Sequence, residues 1–114
     1  GREEIEEIEP AVEQARKKCY QVFGPLPSDS IFYRAIGGEF DVVLALYHDQ
    51  GHIAIKVHNF HESTTATLGI PFVRTSVDHG TAFDIAGTGQ ASEQGLESAM
   101  RAAQHIVNRD LNQF

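Results

Sequence analysis

Histidine, the most common protein ligand for divalent metals, is concentrated in one part of this sequence. Four of its six histidines fall between His48 and His61. His48 and His52 are four residues apart, and His58 and His61 are three apart, spacings that align two imidazoles on a helix. A small histidine-rich metal-binding module is therefore one hypothesis. Gly51 interrupts the first pair, however, so surface or hydrogen-bonded roles are favoured for His52, His58 and His61.

His48 differs from the other histidines because it directly follows a predicted buried strand. Residues 40–47 form a continuous apolar run with β-branched members, which is typical of a strand covered on both faces. Ligands bind beyond the carboxyl ends of such strands, and Asp49 and Gln50 would orient the imidazole. One histidine cannot hold a divalent ion, so a metal would need further ligands from elsewhere.

A glycine-rich segment, residues 79–89, would let backbone amides approach a ligand closely, and its Asp84 would accept hydrogen bonds from ribose hydroxyls. These properties suit a nucleotide. The spacing is not that of the Rossmann glycine motif, and composition alone favours a structural loop.

Two cations, Lys56 and Arg74, lie within or beside apolar segments, where an unpaired charge is costly. Each must therefore meet an anionic substrate or an internal acid. Together they resemble a phosphate or carboxylate receptor, since Arg binds bidentately and Lys supplies a point charge. A plain internal salt bridge is an equal alternative.

The elements that must position these residues are two long helices and a set of strands. Apolar spacing predicts an amphipathic helix over residues 3–23, which either bends at Pro10 or restarts there. A breaker cluster at residues 24–30 follows, with Asp29 or Ser30 as cap of a short helix. A last helix is predicted over residues 92–107, with Ser92 as cap and a frayed polar end after it. Its apolar face consists of Leu96, Ala99, Met100, Ala103, Ile106 and Val107.

The middle of the chain predicts strands and loops. Residues 64–68 and 71–77 are rich in Thr, Val and Phe and are predicted as two strands joined by a turn at Gly69. Residues 78–90 are predicted as an irregular loop, whereas residues 53–57 fit either a helix or a strand. Residues 1–114 are therefore expected to form a single α/β domain.

Composition excludes several classes of protein. The net charge of −7 would repel nucleic acid and anionic membrane surfaces, and six acids in the first fourteen residues indicate a solvated helical face. No apolar run approaches the roughly 20 residues of a membrane span, and the first residues lack a secretory signal, so a cytoplasmic location is expected. Cys19 is interpreted as a helix-face packing residue.

Three segments carry a resemblance to a known family: residues 24–29 (GPLPSD), 47–51 (YHDQG) and 68–81 (LGIPFVRTSVDHGT). From about Glu3 to Val107 the chain resembles the C-terminal portion of the 4-hydroxythreonine-4-phosphate dehydrogenases of vitamin B6 biosynthesis. The resemblance implies the C-terminal part of an isocitrate/isopropylmalate dehydrogenase-like α/β/α fold, and a homodimer with its site at the interface.

The resemblance also implies roles for individual residues. His48 matches one of three histidines that hold a divalent metal (Zn, Mg or Co) in the family. Lys56, Thr65 and Arg74 match the substrate contacts, with Thr65 replacing an Asn. Gly80, Thr81, Ala82 and Asp84 match the nucleotide loop, where the carboxylate favours NAD over NADP because a 2′-phosphate would be repelled.

The activity implied is NAD-dependent, metal-assisted oxidation, with decarboxylation, of 4-phosphooxy-L-threonine in pyridoxal phosphate biosynthesis. The change at Thr65 leaves D-threonate or D-erythronate 4-phosphate, or a related dihydrodiol, as alternative substrates. A truncated, non-catalytic fragment that binds nucleotide or mediates dimerisation is a further alternative, and the isolated chain is expected to be inactive.

Overall fold

The structure is a computed structural model that describes residues 1–111, without the side chains of the last two. Its contacts divide the chain into two compact units, Gly1–Gln50 and Gly51–Phe114, which are described separately. Helices and a small sheet occur together, in agreement with the predicted α/β class. The single domain over residues 1–114 stays a prediction. No helix among the described residues is both long and apolar enough to cross a membrane.

The first unit begins with a π-helical turn, Glu4–Ile8, that continues into helix α1, Glu9–Lys17. Pro10 lies in the first turn of α1. The backbone stays right-handed helical through Ile8 and Glu9, so the predicted restart of the helix at Pro10 is not observed; the helix changes its hydrogen-bond pattern there without ending.

The predicted extension of this helix to Phe23 is wrong, because α1 ends at Lys17. Cys19 adopts a left-handed φ of 67°, which reverses the chain, and its side chain is exposed rather than packed on a helix face. The returning segment is tied to the helix by Arg16, whose Nε donates to the carbonyl oxygen of Val22 at 2.9 Å. The apolar spacing that predicts the helix continues through this turn, so the spacing does not indicate where α1 ends.

Helix α2, Ser28–Ile36, begins directly after Pro27, which has an extended backbone and serves as the N-cap. The predicted caps Asp29 and Ser30 are wrong, because both lie inside the first turn and no side chain caps the helix. The fixed φ of Pro27 places the N-cap two or three residues earlier than the side-chain pattern indicates. Ile31, which follows Ser30, is the buried residue of this helix.

Residues 40–47 do not form the predicted strand. A strand requires hydrogen bonds to a neighbouring strand, and the one sheet within residues 1–111 pairs two other segments. Val42 and Leu44 keep 81% and 85% of their surface exposed. With neighbouring apolar residues of the first unit, the segment lines an open groove of about 510 Å³.

Helix α3, His48–His58, spans the boundary between the units. Residues 53–57, whose sequence fits either a helix or a strand, are therefore helical. Gly51 does not interrupt the helix, contrary to the sequence-based expectation.

The hairpin of the second unit was predicted correctly. Strand β1, Thr64–Thr67, pairs antiparallel with strand β2, Arg74–Val77. Gly69, in the connection, has a φ of 83°, a left-handed conformation that glycine adopts without strain. The second strand is three residues shorter than predicted, since pairing starts at Arg74 rather than Pro71.

Helix α4, Gln94–Leu111, packs on this hairpin. The hydroxyl of Thr75 donates to the carbonyl oxygen of Ala99 at 2.8 Å, and Ala99 is only 2% exposed. The Ser92 hydroxyl accepts from the N–H of Gln94 at 3.3 Å, so the predicted cap lies just before the helix. The helix continues past Asn108, and residues 112–114 of the predicted frayed end lie outside the described residues.

The predicted packing face of α4 is partly wrong. Leu96, Met100 and Val107 are exposed, whereas the side toward the hairpin passes through Gly95 and Ala99. Helical spacing alone cannot distinguish these two adjacent stripes, because both contain small or apolar residues.

Candidate functional site

One face of the hairpin carries two of the three predicted substrate residues. Thr65 lies opposite Ser76, and Thr67 lies opposite Arg74. Because side chains alternate along a strand, these four share one face. The other face holds Thr75, which bonds to α4. Pairing of the strands therefore brings Thr65 and Arg74 together on the face that α4 leaves uncovered.

Arg74 is exposed, and its Nη1 donates to the Thr67 hydroxyl at 3.0 Å. A neutral hydroxyl leaves the positive charge of the guanidinium uncompensated, and Arg is suited to bidentate binding of phosphate or carboxylate. Arg74 also lines a shallow cavity of about 380 Å³ together with the connection between the strands and Ile106. This arrangement is able to receive an anion.

Lys56, the third predicted substrate residue, meets an internal acid. Its Nζ donates to the backbone oxygen of Asp78 at 2.7 Å and lies 3.4 Å from Oδ2 of the same residue. The Ser63 hydroxyl donates to that carboxylate at 3.0 Å, and Nδ1 of His52 lies 3.3 Å from Oδ1. We call Lys56, Asp78, Ser63 and His52 the Asp78 cluster.

The Asp78 side chain is the least exposed of the ion-pairing carboxylates described, with 7% of its surface accessible. Burial acts to raise the pKa of this carboxyl. The hydrogen bonds from Ser63 and Lys56 and the nearby charges of Lys56 and His52 outweigh burial, so the pKa of Asp78 is lowered. The carboxylate is therefore held in its charged form.

The predicted nucleotide loop leaves the end of β2 immediately after Asp78. Gly80, Thr81, Ala82 and Asp84 are all exposed. Ala82 has a left-handed φ of 50° and leads into a single 3₁₀ turn, Phe83–Ile85. The loop is irregular as predicted, and its exposed backbone is accessible to a ligand.

His48 lies at the start of α3 with 74% of its side chain exposed, and its Nδ1 is 2.7 Å from Oδ1 of Asp49. Among the side chains described, those of residues 1–109, no three His, Cys, Asp or Glu come together as a metal site. His58 and His61 therefore do not assemble with His52 into the alternative histidine-rich module. The described donors supply at most part of a coordination shell around His48.

Two residues of the Asp78 cluster, Asp78 and Ser63, were not identified from the sequence. The signal that pointed to them was Lys56, a cation in an apolar segment that required an acid. The sequence does not indicate which acid, because 22 residues separate Lys56 from Asp78. Only the packing of α3 beside the end of β2 answers that question.

Comparison with known proteins gives consistent results. The family model described as "Pyridoxal phosphate biosynthetic protein PdxA" matches residues 1–103. A Symbiobacterium thermophilum protein named as a candidate D-threonate 4-phosphate dehydrogenase is 60% identical over 101 residues, which are 89% of this chain and 30% of that protein. A candidate of the same name from Halalkalibacterium halodurans is 53% identical over 90% of the chain and 31% of its own length.

The D-threonate 4-phosphate dehydrogenase of Cupriavidus necator is 52% identical over 107 residues, 94% of this chain and 32% of that enzyme. The chain thus spans about a third of the length of the curated relatives that it matches, in their C-terminal portion.

Proposed function

Because the chain belongs to the PdxA family of pyridoxal phosphate biosynthetic proteins, we propose that it forms the C-terminal part of a dehydrogenase for D-threonate 4-phosphate. The choice of substrate is supported by the name shared by relatives that are 52% to 60% identical to this chain. Family membership and the names of the relatives support an oxidoreductase of the PdxA type.

The substrate is a phosphorylated sugar acid, with a phosphate at one end and a carboxylate at the other. Arg74 is proposed to bind one of these anions, which is supported by its exposure and its neutral partner. Thr65 shares the face of the hairpin with Arg74 and is proposed to hydrogen-bond a substrate hydroxyl or anion oxygen. Lys56 is proposed to contact the substrate through the part of its ammonium group that Asp78 does not occupy.

The cofactor is proposed to be NAD, bound along Gly80, Thr81, Ala82 and Asp84. The exposed, glycine-containing backbone of this loop and the carboxylate of Asp84 support the proposal. Oxidation of a secondary alcohol removes a hydride from the carbon, which the nicotinamide accepts, and a proton from the hydroxyl.

His48 is proposed as the one ligand that this chain contributes to a divalent metal, with the others from outside it. The described residues do not complete such a site, so no catalytic step is assigned to the metal. A homodimer with no nucleic-acid partner completes the proposal.

A second candidate substrate is 4-phosphooxy-L-threonine, which the resemblance places first. The description of the matching family model, a pyridoxal phosphate biosynthetic protein, favours it. The two substrates differ at carbon 2, where the first carries a hydroxyl and the second an amino group. Three further candidates are oxidation of D-erythronate 4-phosphate, oxidation of a dihydrodiol, and a role as a non-catalytic fragment.

The test is NAD reduction by the full-length protein encoded with this chain, measured at saturating Mg²⁺ or Zn²⁺ with each substrate. We expect kcat/KM for D-threonate 4-phosphate to exceed that for 4-phosphooxy-L-threonine by about tenfold or more, since loss of a matched polar contact has at least this effect. The opposite preference would overturn the proposal. Absence of turnover with both substrates would also overturn it, in favour of D-erythronate 4-phosphate, a dihydrodiol or a non-catalytic role.

A substitution tests the contribution of Thr65. Thr65→Asn should shift the ratio of the two kcat/KM values toward 4-phosphooxy-L-threonine, because it restores the family's amide at this contact. Thr64→Asn is the matched control, since Thr64 is in the same strand but on the opposite face. An equal shift in both variants would exclude a specific role of Thr65.

A further inference from the structure

Three elements of the second unit meet at the carboxylate of Asp78. Helix α3 contributes Lys56 and His52, the segment before β1 contributes Ser63, and Asp78 itself follows the end of β2. All of these contacts lie within one compact unit.

We propose that Asp78 is a positioning residue that fixes the ammonium group of Lys56 for binding of the anionic substrate. The inference rests on the proposed function, which gives Lys56 its contact with the substrate. Asp78 does not itself need to touch the substrate, because its side chain is 7% exposed while that of Lys56 is 32% exposed.

The contacts of Nζ define how Lys56 is held. A lysine ammonium has three N–H donors on a flexible four-carbon chain. The ammonium group of Lys56 donates a hydrogen bond to the backbone oxygen of Asp78 at 2.7 Å. It also forms an ion pair with the Asp78 carboxylate at 3.4 Å. The ring of Phe60 lies beneath the same ammonium, 5.5 Å from centroid to Nζ. These contacts hold the ammonium group on the protein, while 32% of the Lys56 side chain stays exposed and accessible to a bound anion.

The supporting contacts hold the carboxylate in turn. Ser63 donates to Oδ2, the same oxygen that faces Lys56, while His52 lies beside Oδ1. A carboxylate held from both sides has little freedom to rotate away from the ammonium. An acid that merely neutralised Lys56 would not need this support, so the arrangement favours a role in orientation.

The experiment is a double-mutant cycle in the full-length enzyme, with Asp78→Asn, Lys56→Met and the double variant. Asp78→Asn keeps the size of the side chain and removes its charge. We expect this variant to raise KM for D-threonate 4-phosphate about tenfold, the lower end for a hydrogen bond to a charged group, because Lys56 is partly exposed. In the Lys56→Met background the same change should have no further effect, since Asp78 acts through Lys56.

A merely structural role makes different predictions. Asp78 also precedes the loop at residues 79–89, so loss of structure there would raise KM for NAD as well, and the two substitutions would be additive. Either result would overturn the proposal. Glu97→Gln is the matched control, because it removes one negative charge from an exposed ion pair of the same unit.

A second measurement is independent of turnover. Acylation of individual lysines by acetic anhydride, followed by mass spectrometry, reports the accessibility of each amine. Lys56 should react about threefold faster in Asp78→Asn than in the wild type, with exposed Lys17 unchanged as internal standard. An unchanged rate at Lys56 would contradict the inference even if the proposed substrate is wrong. If Asp78→Asn does not fold, Ser63→Ala replaces it in both measurements, and absence of any effect on Lys56 would again refute the proposal.

Discussion

Gly95 offers a sharp test of the packing between α4 and the hairpin that carries Thr65 and Arg74. A Cβ atom at this position would lie 3.6 Å from Cγ1 of Val77 and 3.7 Å from both the carbonyl oxygen of His61 and Cδ2 of His79. These are ordinary van der Waals distances, so Gly95→Ala adds contacts without a clash. Alanine also loses less backbone entropy than glycine when it enters a helix.

The expected gain is about 0.5 kcal/mol in the free energy of unfolding, the lower end for Gly to Ala because Gly95 is in the first turn. This gain corresponds to a rise in Tm of about 1–2 °C, measured by differential scanning calorimetry on the full-length protein. Gly95→Leu is the control, because leucine is nearly as good a helix former as alanine but is too large for a gap already at contact distance. It should lose about 1–3 kcal/mol.

A lower Tm for Gly95→Ala would refute this reasoning, since it would mean that α4 lies closer to the hairpin than the distances indicate. Equal stabilisation by Ala and Leu would also contradict it, because the start of α4 would then be free of neighbours.

Two further predictions concern the charged residues. Asp84→Asn should raise kcat/KM for NADP relative to NAD about fivefold to tenfold, because an exposed carboxylate repels the 2′-phosphate by roughly 1 kcal/mol. An unchanged ratio of the two kcat/KM values would mean that Asp84 does not lie near the 2′ position of the cofactor. The lowered pKa of Asp78 means that its charged form stabilises the folded state above the ordinary value of 3.8, and that this stabilisation is lost as pH falls through the lower, folded pKa. Urea midpoints between about pH 5 and pH 2 should therefore fall more steeply for the wild type than for Asp78→Asn, and parallel curves would exclude the effect.

The elements that were predicted correctly are those whose sequence signal is local. The hairpin at Thr64–Thr67 and Arg74–Val77 follows from β-branched residues around Gly69, and the long α4 follows from an apolar repeat with few helix breakers. The irregular loop after Asp78 also follows from local sequence, because it contains several glycines. In each case neighbouring residues determine the conformation that the backbone adopts.

The errors arose where distant residues decide. Residues 40–47 have the composition of a buried strand, but a strand forms only with a partner, and no such partner is present within residues 1–111. The buried stripe of α4 likewise depends on which side meets the hairpin. The early end of α1 is the exception, because it depends on the nearby left-handed turn at Cys19, which apolar spacing does not indicate.

For the candidate site, the sequence by itself determined which residue types are available: an arginine and a threonine in a hairpin, a lysine in an apolar segment, and a glycine-rich loop. The tertiary structure decided their partners. Strand pairing placed Thr65 and Arg74 on one face, and the packing of α3 placed Lys56 against Asp78 rather than against solvent. Contacts between residues 22 positions apart depend on how elements pack, and no local pattern encodes that choice.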